Sequence, residues 1–152
     1  MSPTQITQLA EHPILRNDRA SRWLGIEVIR ATYGQAEIRM VLRDEMMNGF
    51  DMAHGGMLFA FADSCFALAC NDPDGDGSTI TVAQGVDIEF ISSAPAGAEL
   101  IARGEVRHQG RRSGLYDIQI TSGDTVVAEF RGRCRTIPNR FDQSRIDQSN
   151  GA

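Results

Sequence analysis

Lysine is absent from this chain, and all 15 of its basic residues are arginine. Any phosphate contact therefore has to come from a planar guanidinium, a histidine or the backbone. Acidic residues number 20, the formal net charge is −5, and the arginines form no extended run, so no nucleic-acid partner is expected. Cysteine is also scarce, with three copies. Cys65 and Cys70 fall on different faces of one predicted helix and Cys134 lies in a strand-like run, which gives neither a disulfide framework nor a CxxC motif. They read as small core residues, with a nucleophilic Cys65 as the sharper alternative. His12, His54 and His108 lack ligand spacing with one another or with the cysteines, so neither a metal site nor a cofactor is expected. GxSxG is missing, which removes the serine-elbow hydrolases. The long apolar run is internal and holds a carboxylate, so no signal peptide, no membrane contact and a cytoplasmic location are expected.

That run is what the chain does have. From Gly55 to Cys70 the one formally charged residue is Asp63, among Met, Leu, Phe, Ala and Cys. Such a segment predicts a helix apolar on every side and buried all round. A lone buried carboxylate is costly unless it is paired or used, which makes Asp63 a candidate catalytic group. Asn48-Gly49 signals a turn, and His54-Gly55-Gly56 stands where the helix begins. The first N–H groups of a helix have no partner within it and carry partial positive charge, and bare glycines let a ligand carbonyl approach them as in an oxyanion hole. A carboxylate and such a hole together suggest acyl transfer to water. Gly55 and Asp63 are eight residues apart, about 12 Å along one helix, too far to serve one carbonyl. Each site should therefore combine Gly55 of one subunit with Asp63 of another, across a two-fold axis with the helices antiparallel.

The remainder is strand-rich. Asn17 or Asp18 is placed to cap a short helix through Ala20–Leu24, with Gly25 as its stop and Trp23 and Leu24 as its buried side. Residues 26–32 and 35–42 alternate around Tyr33-Gly34 as a hairpin. Asp72 to Gly77 imitates the start of a calcium loop, but Ala83 stands where the bidentate Glu belongs, so a solvated acidic turn is expected. Residues 79–91, 100–108, 115–121 and 126–136 predict an antiparallel meander. The expected fold class is α+β, one domain over residues 1–138, with a helical turn near Thr4–Ala10 and a frayed tail from 139 to 152.

Asn48, then HGG, then Asp63 within LFAFADSCFALACN resembles the signature of hotdog-fold acyl-CoA thioesterases. The likeness extends to RNDRASRWLGIEV, VRHQGRRSGLYDI and Phe130-Arg131-Gly132, covers about residues 15 to 137, and is most similar to the PaaI-type hydroxyphenylacetyl-CoA thioesterases. The acidic turn at 72–77 departs from it as an added length of loop. The resemblance implies a sheet curled round one long helix, a dimer with shared sites assembled into a tetramer, and an acyl-CoA substrate with a phenylacetyl or hydroxyphenylacetyl group. It implies the Gly55 N–H as oxyanion donor, with Asn48 and His54 as active-site neighbours and Gly56 and Ser64 against the substrate. Asp63, ordinarily ionised above a pKa of about 3.9, would act as general base or as nucleophile. Arg111 and Arg112, in HQGRRSG, would meet the phosphates of coenzyme A, the alternative being charges that face water. Phe50, Phe59, Phe61, Met46 and Met47 would line an aromatic pocket or belong to the core. Medium-chain acyl-CoA hydrolysis, a non-catalytic acyl-CoA-binding regulatory module and hydration of enoyl thioesters are the competing readings.

Overall fold

The computed structural model describes residues 12–140. The predicted turn near Thr4–Ala10 and nearly all of the predicted tail lie outside the described residues. The first helix is α1 (Arg19–Leu24), which Asp18 caps by accepting the Ser21 N–H at 2.9 Å and which Gly25 ends at φ 73°. Only half of its predicted buried side is buried. Leu24 is in the core, whereas Trp23 is 52 % exposed, its ring covered by the Arg43 guanidinium at 4.8 Å. Six residues give a single inward turn, and Leu24 occupies it.

The hairpin follows as β1 (Glu27–Thr32) and β2 (Gln35–Val41), with Gly34 at φ 97° in the turn between them. The long helix, α2 (Gly55–Cys70), comes next, and then β3 (Thr79–Phe90), β4 (Glu99–Gln109), β5 (Ser113–Ser122) and β6 (Thr125–Pro138). All pairings are antiparallel in one six-stranded sheet ordered β1-β2-β4-β5-β6-β3. The predicted meander therefore holds for β4, β5 and β6 but not for β3, which lies at the far edge against β6. The cause is α2. It crosses the sheet, and Asn71 at its end fastens to Thr81 through two hydrogen bonds, so β3 starts at the edge that the helix reaches. The chain then returns through Ala94 and Ala98, which accept the N–H groups of Ala53 and Leu42, to place β4 beside β2.

The core lies between the inner face of the sheet and α2. Phe61, Cys65, Phe66 and Leu68 point down onto Ile38, Ala102, Tyr116 and Ile118, all nearly without solvent contact. Two glycines make room for this packing. A Cβ on Gly132 would stand 2.6 Å from the Phe66 ring, and one on Gly104 would stand 3.1 Å from Cys65 Sγ. The outer face is polar, and Asp117 there accepts from both Arg107 and Arg131.

The expectation of a helix buried all round fails on one side. Gly56, Phe59, Ala60, Asp63, Ser64 and Ala67 recur at spacings of three and four and keep partial or full exposure. A single curved sheet covers only part of a cylinder, and this stripe is what it leaves open. Among the described residues no helix is long and apolar enough to cross a membrane.

Candidate active site

Before α2 the chain makes a loop closed by a bridge between Met47 and Ala53. Asn48 organises it. Its Oδ1 accepts the N–H groups of Phe50 at 2.9 Å and Met52 at 3.2 Å, and Asp51 takes the rare φ of 61° that so tight a loop requires. With Oδ1 committed to the loop, the Nδ2 hydrogens have no acceptor among the described residues and stay available as donors. His54 is the N-cap of α2, its Nδ1 accepting the Gly56 N–H at 2.9 Å. With Nδ1 accepting, the ring hydrogen stands on Nε2, which leaves a donor there. That bond also divides the work of the two glycines. The Gly56 N–H is spent on the cap, while the Gly55 N–H has no acceptor among the described residues. Both positions are tight: a Cβ on Gly55 would meet the Phe90 ring at 3.1 Å, and one on Gly56 would meet His54 Nδ1 at 3.0 Å, so either neighbour would have to shift by a few tenths of an ångström.

Two turns along the same helix, Asp63 lies half-buried on the open stripe. Its carboxylate accepts no hydrogen bond among the described residues, so it is not a tether for local backbone. Burial pushes its pKa above the ordinary 3.8, and the nearby charge of Asp18 pushes in the same direction. Ser64 is engaged differently from expectation. Its hydroxyl meets Ser21 Oγ at 2.9 Å, and Ser21 in turn donates to Asp18 Oδ2 at 2.6 Å, a hydroxyl chain that fastens α1 to α2. Asp18 and Ser21 thus belong to the neighbourhood of Asp63, which no reading of the sequence placed there. The Asp-x-x-Ser spacing showed a helix cap and carried no sign of what the cap would face.

The remaining candidates separate. Arg111 and Arg112 sit exposed in the turn between β4 and β5 without an acidic partner among the described residues, and the Arg112 carbonyl accepts the Thr136 N–H at 2.8 Å. This turn adjoins the strand ends at Gly114 and Cys134, and the Cys134 thiol neighbours Cys70 at the last residue of α2. It therefore lies at the opposite end of α2 from Gly55. Cys65 is no candidate nucleophile: it is fully buried against the sheet, its thiol directed at the carbonyls of Ala36 and Ala102, and burial raises its pKa far above neutrality. Of the five pocket candidates, Phe61 and Met46 are core residues at 0 % exposure, whereas Phe50 at 82 % and Phe59 at 38 % face outward. Asp72 and Asp76 spend carboxylate oxygens on the N–H groups of Asp74 and Ser78, as in an ordinary acidic turn. No group of three or more His, Cys, Asp or Glu residues able to hold a metal ion occurs among the described residues.

Residues 50–129 match the Thioesterase superfamily. The chain is 39% identical over 127 residues to the acyl-coenzyme A thioesterase PaaI of Escherichia coli (strain K12), covering 83% of this chain and 88% of that protein. The solved structure of the E. coli PaaI protein from the phenylacetic acid degradation operon superposes with a TM-score of 0.78 at 38% identity, over 88% of this chain and 94% of that one. A mutant of the phenylacetic acid degradation protein PaaI from Thermus thermophilus gives 0.72 at 30% identity, over 78% and 98% of the two chains. By sequence and by architecture the chain belongs to the thioesterase superfamily, the thioester hydrolases built on the hotdog fold.

Proposed function

We propose that this protein hydrolyses phenylacetyl-CoA or its ring-hydroxylated derivatives to the free acid and coenzyme A. One observation carries the reading: an unpartnered, half-buried Asp63 on the open stripe of a helix whose first N–H, at Gly55, also has no acceptor among the described residues. A structural aspartate would be tied to backbone or to arginine, and among the described residues this one is tied to neither. The thioester oxygen accepts from Gly55 N–H and from Asn48 Nδ2, donors placed for the charge that grows on it. Acting as base, Asp63 takes a proton from water as the water oxygen bonds to the acyl carbon. Collapse of the tetrahedral species breaks the C–S bond, and the thiolate leaves and takes up a proton. Acting as nucleophile, the carboxylate itself displaces the thiolate and water then cleaves the anhydride. His54 caps α2 and offers its Nε2–H towards the same end.

The site is completed by a second subunit. Gly55 and Asp63 are eight residues apart on α2, so an antiparallel partner helix related by a two-fold axis near Phe59 brings its own Gly55 beside Asp63. The same operation carries Arg111 and Arg112, at the far end of α2 in their own chain, past the partner's Gly55 by about 10 Å along the helix axis. There they face the phosphates of coenzyme A. β3 offers the seam, an edge strand unpaired on one side that exposes Val82 and Phe90 and runs on to exposed Ile91. Phe50 and Phe59 supply aromatic surface for a phenyl ring. Such dimers pair into a tetramer, and the three free cysteines suit the reducing cytoplasm.

The test is a panel of acyl-CoAs scored for released thiol. Phenylacetyl-CoA should lead, a lead by medium-chain acyl-CoA would overturn the substrate assignment, and binding without thiol release would overturn the reaction. Replacing Arg111 and Arg112 by alanine should raise KM for acyl-CoA and leave short pantetheine thioesters unaffected.

A further inference from the structure

The hydroxyl chain beside the site has a consequence for the reaction. Asp18 Oδ1 accepts the backbone N–H of Ser21 at 2.9 Å while its Oδ2 accepts the Ser21 hydroxyl at 2.6 Å, and that hydroxyl lies 2.9 Å from Ser64 Oγ. Capping α1 needs only the first of these bonds. The other two reach across to the helix that carries Asp63, one residue before Ser64, and Ser21 is buried at the junction. We propose that Asp18 is a positioning residue for Asp63: through Ser21 it fixes the turn of α2 that presents the carboxylate, and it sets a second negative charge beside it.

The surroundings of Asp63 make that charge count. From α1 and its cap the group that acts on Asp63 is Asp18, and on its own helix the titratable side chains are the buried thiols of Cys65 and Cys70. The inner sheet face beneath α2 presents Ile, Leu, Ala, Tyr116 and Cys134, with its arginines and carboxylates on the outer face. No cation is among the groups that shift Asp63, whereas Asp18 is, so the Asp18 charge opposes ionisation of Asp63 and makes the carboxylate a stronger base once ionised. The Asp18 carboxylate thereby has two effects that one substitution can separate. Asparagine caps a helix about as well as aspartate, its Oδ1 accepting the Ser21 N–H and its Nδ2 donating to the Ser21 hydroxyl, which then donates to Ser64, but it carries no charge.

This inference rests on Asp63 being the reacting carboxylate, and the test keeps the two claims apart. The rate of thiol release from phenylacetyl-CoA is followed against pH for the unmodified protein and for Asp18→Asn, Ser21→Ala and Asp63→Asn. With Asp18→Asn, the acid limb of the kcat/KM profile should move to lower pH and the plateau should fall several-fold with KM little changed. Ser21→Ala keeps the charge and should lower kcat without moving that limb. Coincident profiles for Asp18→Asn and the unmodified protein, beside an inactive Asp63→Asn, would overturn the role of Asp18 alone. An active Asp63→Asn would overturn the site itself. Should Asp18→Asn lose folded protein by circular dichroism, Asp18→Glu decides: it restores the charge at a different reach, and an acid limb at its original position supports the proposal, whereas a limb displaced to lower pH despite the retained charge overturns it.

Discussion

A carboxylate set half out of water on an apolar helix is held there against its own hydration. Because burial and Asp18 raise the pKa of Asp63, the folded protein binds that proton more tightly than the unfolded chain does. Folding is therefore favoured while the group is protonated, and this advantage is lost as pH rises through the folded value. Asp63→Asn should accordingly melt higher than the unmodified protein at neutral pH, and the gap should close below the ordinary value of 3.8. The same variant should lose about 100- to 10,000-fold in turnover, the span common for a displaced acid-base group. Thermal melts across pH and a thiol-release assay read the two effects on one sample. A variant that is less stable and fully active would show Asp63 to be structural. Neighbouring His54 makes a smaller claim. His54→Ala strips the cap from Gly56 and should cost about 1 kcal/mol of stability, while His54→Asn retains an acceptor and should recover most of it. Turnover in His54→Asn then measures what the imidazole adds beyond capping.

At the scale of elements, the helix and the sheet are fitted by glycines in the sheet. Phe66 lies over Gly132 and between Tyr116 and Phe130, at 5.7 and 5.8 Å between ring centroids. Gly132→Ala should cost about 1–3 kcal/mol by overpacking, and Phe66→Leu in that background should return part of it, as urea unfolding would record. Here the limits of the sequence become physical. Alternating strands, the Tyr33-Gly34 turn, the Asp18 and Gly25 caps and the one apolar run were legible because each is a local pattern. The position of β3 was not, since nothing within residues 79–91 says that α2 has carried the chain across the sheet before them. Nor was the open stripe, because Gly56, Phe59 and Ala67 are as compatible with burial as their neighbours. Asp63 alone marked that side. Asp18 escaped for the opposite reason, its role in the cap being a sufficient local explanation for its presence.

For the whole molecule the question is how many chains make one site. Gly55 and Asp63 share a single helix, about 12 Å apart along its axis, and no bend in the 16-residue α2 brings them together. If each site takes Asn48 and Gly55 from one subunit and Asp63 from the next, two inactive proteins should rescue each other. Asp63→Asn and Asn48→Ala protomers are each expected to be nearly inactive alone, because both sites of either homodimer carry the defect. Unfolded together and refolded as a mixture, they form heterodimers in which both lesions fall in one site and the other is intact. Random pairing makes about half of the dimers mixed, each with one good site, so about a quarter of the original activity should return. A site contained within one chain gives no such recovery, since every site would then carry one lesion or the other. Val82→Lys with Ile91→Lys serves as the companion measurement: charging the β3 edge should drive the protein to monomers in sedimentation and abolish thiol release while leaving its circular dichroism intact. Monomers that remain active, or a refolded mixture that remains dead, would require the carbonyl to be held and attacked from a single subunit, which the spacing along α2 forbids.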